Sequence, residues 1–292
     1  MSLKGVYTAL ITPFNDDKSI DFDAMKNIIE FQIKEKVNGL LPMGTTGESP
    51  TIKYEEYIKI IEMVIKQVAG RIPVIAGSGS NNTQEAIKMT KVIKELGADY
   101  SLQVVPYYNK PNQEGLYRHF MSIADSVDIP MIIYNIPGRT GKNLENSTMF
   151  KLAIHSKVCA VKEASGNIGQ IMDLIAEKPD NFDILSGDDN LTLPVIALGG
   201  TGIVSVASNL IPGKMIELTD AALKGNIEKA KELHYKLLPF FKAEFIDTNP
   251  IPIKYMMYLK KMIKEAYRLP LCELSDNDKK QVKSVLEKMR II

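Results

Sequence analysis

The sequence predicts an α/β chain folded as a (β/α)8 TIM barrel with additional C-terminal helices. Three observations predict it: eight short apolar runs recur along the chain, amphipathic helical stretches separate them, and roughly 80 residues of helical character follow the eighth run. The runs are Val6–Ile11, Gly39–Pro42, Val74–Ala76, Ser101–Val105, Met131–Tyr134, Val158–Val161, Asp183–Leu185 and Gly202–Val206. Several are apolar on both faces, as parallel strands covered on each side must be. The clearest helix is capped by Asn82 or Thr83 and carries Glu85 in its first turn. Ala86, Ile87, Thr90, Ile93 and Leu96 form its buried face, and Gly97 stops it. Ile58, Ile61, Ile65 and Val68 mark a second such stripe. No Gly-x-Gly-x-x-Gly follows the first strand, which argues against a doubly wound dinucleotide fold.

Residues 190–213 hold no charged side chain and are numerous enough to span a bilayer. Pro194, Gly199, Gly200 and Gly202 divide them instead into a helix, a glycine turn and a buried strand. No linker or low-complexity stretch interrupts the chain. The barrel is expected over residues 1–224, with residues 225–292 a helical extension packed on it.

Composition excludes several function classes. Lys and Arg number 36 against 35 Asp and Glu, so no basic field exists to hold nucleic acid or an anionic membrane. Cys159 and Cys272 lie far apart without metal spacing, and Cys159 sits in an apolar run as a buried, reduced thiol suited to the cytoplasm. His119, His155 and His234 form no His-x-x-His pair, so no metal site is expected. Met1-Ser2-Leu3-Lys4-Gly5 leads into the first strand without the apolar core of a signal peptide.

In such barrels the chemistry lies at the C-terminal ends of the strands. Those ends read Gly44-Thr45-Thr46-Gly47-Glu48, Pro106-Tyr107-Tyr108-Asn109, Tyr134-Asn135-Ile136-Pro137-Gly138-Arg139-Thr140, Val161-Lys162-Glu163 and Ser186-Gly187-Asp188. Most other lysines fall on polar helix faces, whereas Lys162 ends an apolar run. Strand alternation turns either Val161 or Lys162 into the barrel. An inward lysine is desolvated, its pKa falls, and its free amine can attack a carbonyl. The plainer alternatives are a lysine snorkelling at a strand end, or one paired with Glu163 or Asp188.

The glycines around Thr45 and Thr46 let backbone N–H groups approach a small carboxylate, although a simple threonine-capped turn has the same composition. Tyr134 supplies a phenol beside the proposed amine, and Thr45 and Tyr108 extend a proton relay, unless these rings only fill the barrel mouth. Arg139 follows a Pro-Gly turn and can grip a carboxylate in bidentate fashion, or else form a surface salt bridge.

At these residues the chain resembles the pyruvate-dependent class I aldolase (N-acetylneuraminate lyase) family. The likeness runs from Ala9-Leu10-Ile11-Thr12-Pro13-Phe14 to Asn249-Pro250-Ile251-Pro252-Ile253-Lys254. It includes the paired threonines, the paired tyrosines, Tyr-Asn-x-Pro-x-Arg-Thr and Gly-x-Lys-Glu, with Ala160 in place of the last motif's glycine.

The resemblance implies a carbon–carbon lyase without metal, nucleotide or flavin. Lys162 forms an imine with pyruvate; Tyr134, Thr45 and Tyr108 relay protons, Tyr108 reaching in from a second subunit. Thr45 and Thr46 hold the pyruvate carboxylate, Gly187 and Val204 shape its pocket through the backbone, and Arg139 holds the carboxylate of L-aspartate 4-semialdehyde. The best-matched member acts in the diaminopimelate route to lysine, and the resemblance implies a homo-oligomer, a homotetramer built as a dimer of dimers. The nearest rival is a sibling lyase of sialic acid or a keto-deoxy sugar acid, whose hydroxyl-rich substrate gives Arg139 no carboxylate. A sensor barrel that binds a keto acid without turnover is a rival of another class.

Some relatives are inhibited by lysine in a cleft matching Ser49, Pro50, Tyr54, Tyr57, Asn81, Glu85 and Tyr107. Tyr54 and Tyr57 stand where sensitive relatives tend to carry histidine, so only weak lysine binding near Ser49, Asn81, Glu85 and Tyr107 is expected. A cation over tyrosine faces would work against that expectation.

Overall fold

Eight parallel strands close a ring: β1 Gly5–Ala9, β2 Gly39–Leu41, β3 Ile75–Gly77, β4 Tyr100–Val104, β5 Met131–Asn135, β6 Val158–Glu163, β7 Asp183–Ser186 and β8 Gly202–Ser205. The computed structural model describes residues 3–292, so Met1 and Ser2, where the N-terminal reading begins, lie outside the described residues. The hydrogen-bonded order is β2-β1-β8-β7-β6-β5-β4-β3, and a parallel bridge between Leu40 and Val74 joins the two ends.

Around the ring run α1 Phe22–Lys34, α2 Tyr54–Val68, α3 Thr83–Leu96, α4 Gln113–Ser126, the single turn α5 Pro137–Thr140, α6 Asn146–Ala153, α7 Ile168–Glu177, α8 Thr192–Ala197 and α9 Pro212–Leu223. Three more helices follow: α10 Ile227–Ala243, α11 Ile251–Leu259 and α12 Asp276–Lys288. The fold is the (β/α)8 barrel with extra C-terminal helices that the pattern predicts.

Local signals act where the chemistry requires them. The Asn82 side chain accepts from the amides of Gln84 and Glu85 at the start of α3, and Gly97 ends that helix at φ +97°. Residues 190–213 are divided as expected into α8, a turn at Gly199 and Gly200, and β8. Among the described residues no helix is long and apolar enough to cross a membrane.

Strand alternation sorts the core into two layers. Tyr7, Ala9, Leu41, Ile75, Ile132, Ala160, Leu185 and Val204 fill the barrel interior, while Val6, Leu40, Ile133, Val161, Ile184 and Ile203 face the helices. Strand β6 runs two residues beyond the apolar stretch that marks it in the sequence. Its neighbours on both sides sustain it: Lys162 pairs with Tyr134 of β5 and Leu185 of β7, and Glu163 with Asn135 and Ser186.

The C-terminal helices are tied to the barrel by a buried charge. Lys254 of α11 donates to Glu48 of the turn after β2, both side chains are fully buried, and the ammonium lies 4.3 Å from the Phe14 ring centroid. Glu48 itself takes a left-handed φ of 55°, so the ion pair holds a conformation that its side chain alone disfavours. Removing one partner strands the other charge in the core. Lys254→Met should therefore cost about 3–5 kcal/mol of unfolding free energy, with Lys254→Met/Glu48→Leu recovering part of it. Urea denaturation measures both variants, and a single-variant loss under about 1 kcal/mol would contradict the role of the pair.

Candidate active site

Lys162 enters the site by strand parity. Ala160 and Ala164 belong to the interior cluster and Val161 to the outer one, so the side chain between them points inward. It is 5% exposed, and its ammonium sits 4.1 Å from the Tyr134 ring centroid. Burial lowers the amine to about 8, with Asp188 and Asp189 opposing the shift and Arg139 adding to it. At neutral pH an amine at about 8 offers about 300-fold more free base than one at its ordinary value near 10.5. That is a nucleophile.

Glu163, one alternative partner for Lys162, points the other way. Its carboxylate accepts from the Ser165 amide at 2.7 Å and from Asn135 Nδ2 at 3.1 Å, on the helix side of the sheet. Asn135 also accepts the Leu144 amide at 3.0 Å, so this pair fastens the chain after β5 and leaves the amine alone.

Gly187 presses on the lysine. A Cβ there would lie 3.2 Å from Lys162 Cε and Cγ and 2.7 Å from the Ala164 Cβ, so any side chain would displace the amine. Val204 lies in the same interior layer, fully buried on β8. Gly187 packs directly on the lysine stem, and Val204 belongs to the interior layer that encloses it.

Tyr134 is buried, with the Thr45 side chain beside its phenol. Burial pushes the phenol well above its ordinary range, partly offset by the nearby Arg139 cation, so the ring stays protonated and can both donate and accept. The Gly44–Gly47 turn is closed by Gly47 N–H to Gly44 O at 3.1 Å and pinned by the Thr12 hydroxyl on Gly47 O at 2.7 Å. Among the described residues, the amides of Thr45 and Thr46 donate to no backbone carbonyl and remain available to a small anion. Asn249 Nδ2 donates to Thr46 Oγ1 at 3.0 Å, which leaves the threonine proton free for the same anion.

Arg139 lies on α5 at the mouth, exposed in the single chain, and donates to the Asn249 carbonyl at 3.0 Å. Among the described residues it forms no salt bridge, so the surface ion pair is not the arrangement found and the rest of the guanidinium is open to a ligand. Thr45, Tyr134 and Arg139 share a cavity of about 540 Å³ that continues past Ser49, Pro50, Tyr57 and Glu85 to Tyr107. Lys162, Thr46, Gly187 and Val204 lie off the lining of this cavity, and so does Tyr108. Tyr108 is 89% exposed at a left-handed φ of 70°.

Sequence reasoning missed three supports of the site: the Lys254–Glu48 pair, the Asn249 amide on Thr46, and a carboxyl pair formed by Asp189 and Glu244. Their partners are 55 to 206 residues apart (244 − 189 and 254 − 48), and no local pattern reports such pairings. Only Asp188-Asp189, two adjacent acids after a strand, gave any signal.

The sequence pattern of the Dihydrodipicolinate synthetase family matches residues 2–289. A 4-hydroxy-tetrahydrodipicolinate synthase of Thermodesulfovibrio yellowstonii is 50% identical over 289 residues, 99% of each chain. The structure of the chloride-inhibited dihydrodipicolinate synthase of Acinetobacter baumannii complexed with pyruvate superposes with a TM-score of 0.98 at 37% identity, over 100% of both chains. That of a dihydrodipicolinate synthase from Cyanidioschyzon merolae with lysine bound gives 0.96 at 39% identity, over 99% of both.

The amine makes a direct prediction. Trace acetylation across a pH series, read by peptide mass spectrometry, should give Lys162 a reactivity midpoint near 8. A midpoint near 10.5, like that of the lysines on helix surfaces, would contradict the desolvated site.

Proposed function

The chain belongs to the dihydrodipicolinate synthetase family, and we propose that it joins pyruvate to L-aspartate 4-semialdehyde through an imine on Lys162. It is a lyase of the carbon–carbon bond-forming type, acting in lysine and diaminopimelate biosynthesis. One observation carries the site assignment: a buried amine lies beneath the Tyr134 ring, at strand ends that also present free amides for a carboxylate.

The chemistry follows from these groups. The free amine of Lys162 attacks the pyruvate ketone, and the carbonyl oxygen departs as water, leaving an imine. Thr45 and Thr46 bind the pyruvate carboxylate, while the backbones at Gly187 and Val204 hold its methyl side. Loss of a methyl proton gives an enamine, whose carbon attacks the aldehyde of the second substrate. The new alkoxide takes a proton from the Tyr134–Thr45 relay. The semialdehyde amine then attacks the imine carbon, expels Lys162 and closes the ring.

Tyr108 completes the relay in a second copy of the chain. A large ring held almost wholly in solvent at a left-handed backbone is costly for an isolated chain, and its burial against a partner's site accounts for it. The working form is a tight dimer, paired further into a dimer of dimers, in the cytoplasm. Residues 1–224 form the catalytic barrel and 225–292 the extension that braces it.

Weak lysine binding near Ser49, Asn81, Glu85 and Tyr107 is the regulatory reading. The Lys88 ammonium already stands 5.0 Å over the Tyr54 ring, where it occupies one face and repels a second cation. Ser80 also donates to Glu85 at 2.5 Å, and Asn81 to the Tyr107 carbonyl at 3.1 Å, so a ligand must displace bonds already made. Half-inhibition should need lysine above the millimolar range, and a sub-millimolar value in a titration would refute this.

Assay of condensation with the purified chain tests the function. Arg139→Ala should still form the pyruvate imine but lose about 1.5–3 kcal/mol, or about tenfold to 150-fold, in kcat/KM for the semialdehyde. Unchanged second-substrate kinetics, or efficient sialic-acid cleavage by the parent, would favour the sugar-acid lyase reading. Tyr108→Phe should slow turnover without loss of the dimer in sedimentation.

A further inference from the structure

Glu244 caps the C-terminal end of α10, fully buried, and neither of its carboxyl oxygens meets an N–H or O–H donor. Two effects oppose a negative charge there. Burial removes its hydration, and the neighbouring Asp189 and Asp188 charges repel it. Beside it lies Asp189, also fully buried, in the turn after β7. Asp189 is differently furnished: the Ser205 hydroxyl donates to Oδ1, and the amides of Val206 and Ala207 donate to Oδ2 at 2.8 and 3.2 Å.

Three donors favour the carboxylate at Asp189, so the proton that this pair must hold resides on Glu244 and is donated across the pair. The other charged group facing Glu244 is Asp188, from the same turn. The Asp189 charge in turn opposes the lowering of the Lys162 amine, after that of Asp188.

We propose that Glu244 is a positioning residue for the Lys162 reaction: as a neutral acid it donates to Asp189, so that the buried pair sets one negative charge, not two, behind the amine. The inference rests on Lys162 being the imine-forming residue. That step needs two opposed things. The amine must be free to attack the ketone, yet once water has left, the protonated imine carries a positive charge. The Asp188 and Asp189 carboxylates stabilise that cation, whereas a further charge at Glu244 would favour the ammonium and suppress the attack. Asp189 in turn accepts from Ser205, Val206 and Ala207, the residues directly after Val204 of the interior layer.

Two variants separate this role from simple packing. Glu244→Gln keeps a neutral donor, and Glu244→Met keeps the volume without one. Single-turnover trapping of the pyruvate imine should leave Glu244→Gln within about twofold of the parent and slow Glu244→Met at least about tenfold, as expected for a lost electrostatic contact. Glu244→Met should nevertheless melt at or above the parent temperature, because an apolar side chain replaces a buried polar one. A merely structural residue would move stability and rate together.

The acid has its own signature. Its folded pKa is raised, so its contribution to stability is full below about 4.5 and is lost as pH rises above that value. The parent's melting temperature should fall relative to that of Glu244→Gln between about pH 5 and 7. Equal trapping rates for Glu244→Met and parent, equal damage in both variants, or parallel pH–stability curves for Glu244→Gln and parent would each overturn the proposal. If the parent forms no imine on Lys162, the underlying functional reading fails instead.

Discussion

Desolvation of Lys162 is the constraint around which the site is arranged, because a buried amine is tolerated only where neighbours fix both its place and its charge. The β5–β6 register sets Lys162 beside Tyr134, and the inner layer of Ala160, Ala164 and Leu185 surrounds it with apolar surface. Gly187 leaves the side chain its space. Asp188 and Asp189 limit how far burial lowers the amine, so that it stays near 8 and can alternate between free base and cationic imine.

A second buried charge reaches the same site from the far end of the chain. Lys254 on α11 neutralises Glu48, and Asn249 just before that helix donates to Thr46 and accepts from Arg139. The C-terminal helices thus fix the carboxylate-binding turn and the mouth arginine together. Glu244, at the end of α10, extends the same principle to Asp189. The barrel supplies the strand ends; the helices after it set their polar surroundings.

Strand periodicity made most of this legible. All eight runs are strands, and the α3 boundaries follow from Asn82 and Gly97 as their chemistry requires. Parity left Val161 and Lys162 open as the inward residue, and only the closed ring decides between them, since it defines which face is interior. The Glu163 alternative failed because Asn135, on the same outward face of the next strand, bonds it. Pairings such as Lys254 with Glu48 or Glu244 with Asp189 carry no local pattern. Tyr108 is legible only in part: its ring and left-handed φ mark an unusual position, but its partner lies outside the single chain.

The central claim is that Lys162, alone among the chain's lysines, is the nucleophile toward pyruvate. Borohydride reduction in the presence of pyruvate, followed by peptide mass spectrometry, tests it most directly. A pyruvate-derived mass on the peptide containing Lys162, absent without pyruvate and absent in Lys162→Ala, is the expected result. Label on another lysine, or full activity in Lys162→Ala, would contradict the account.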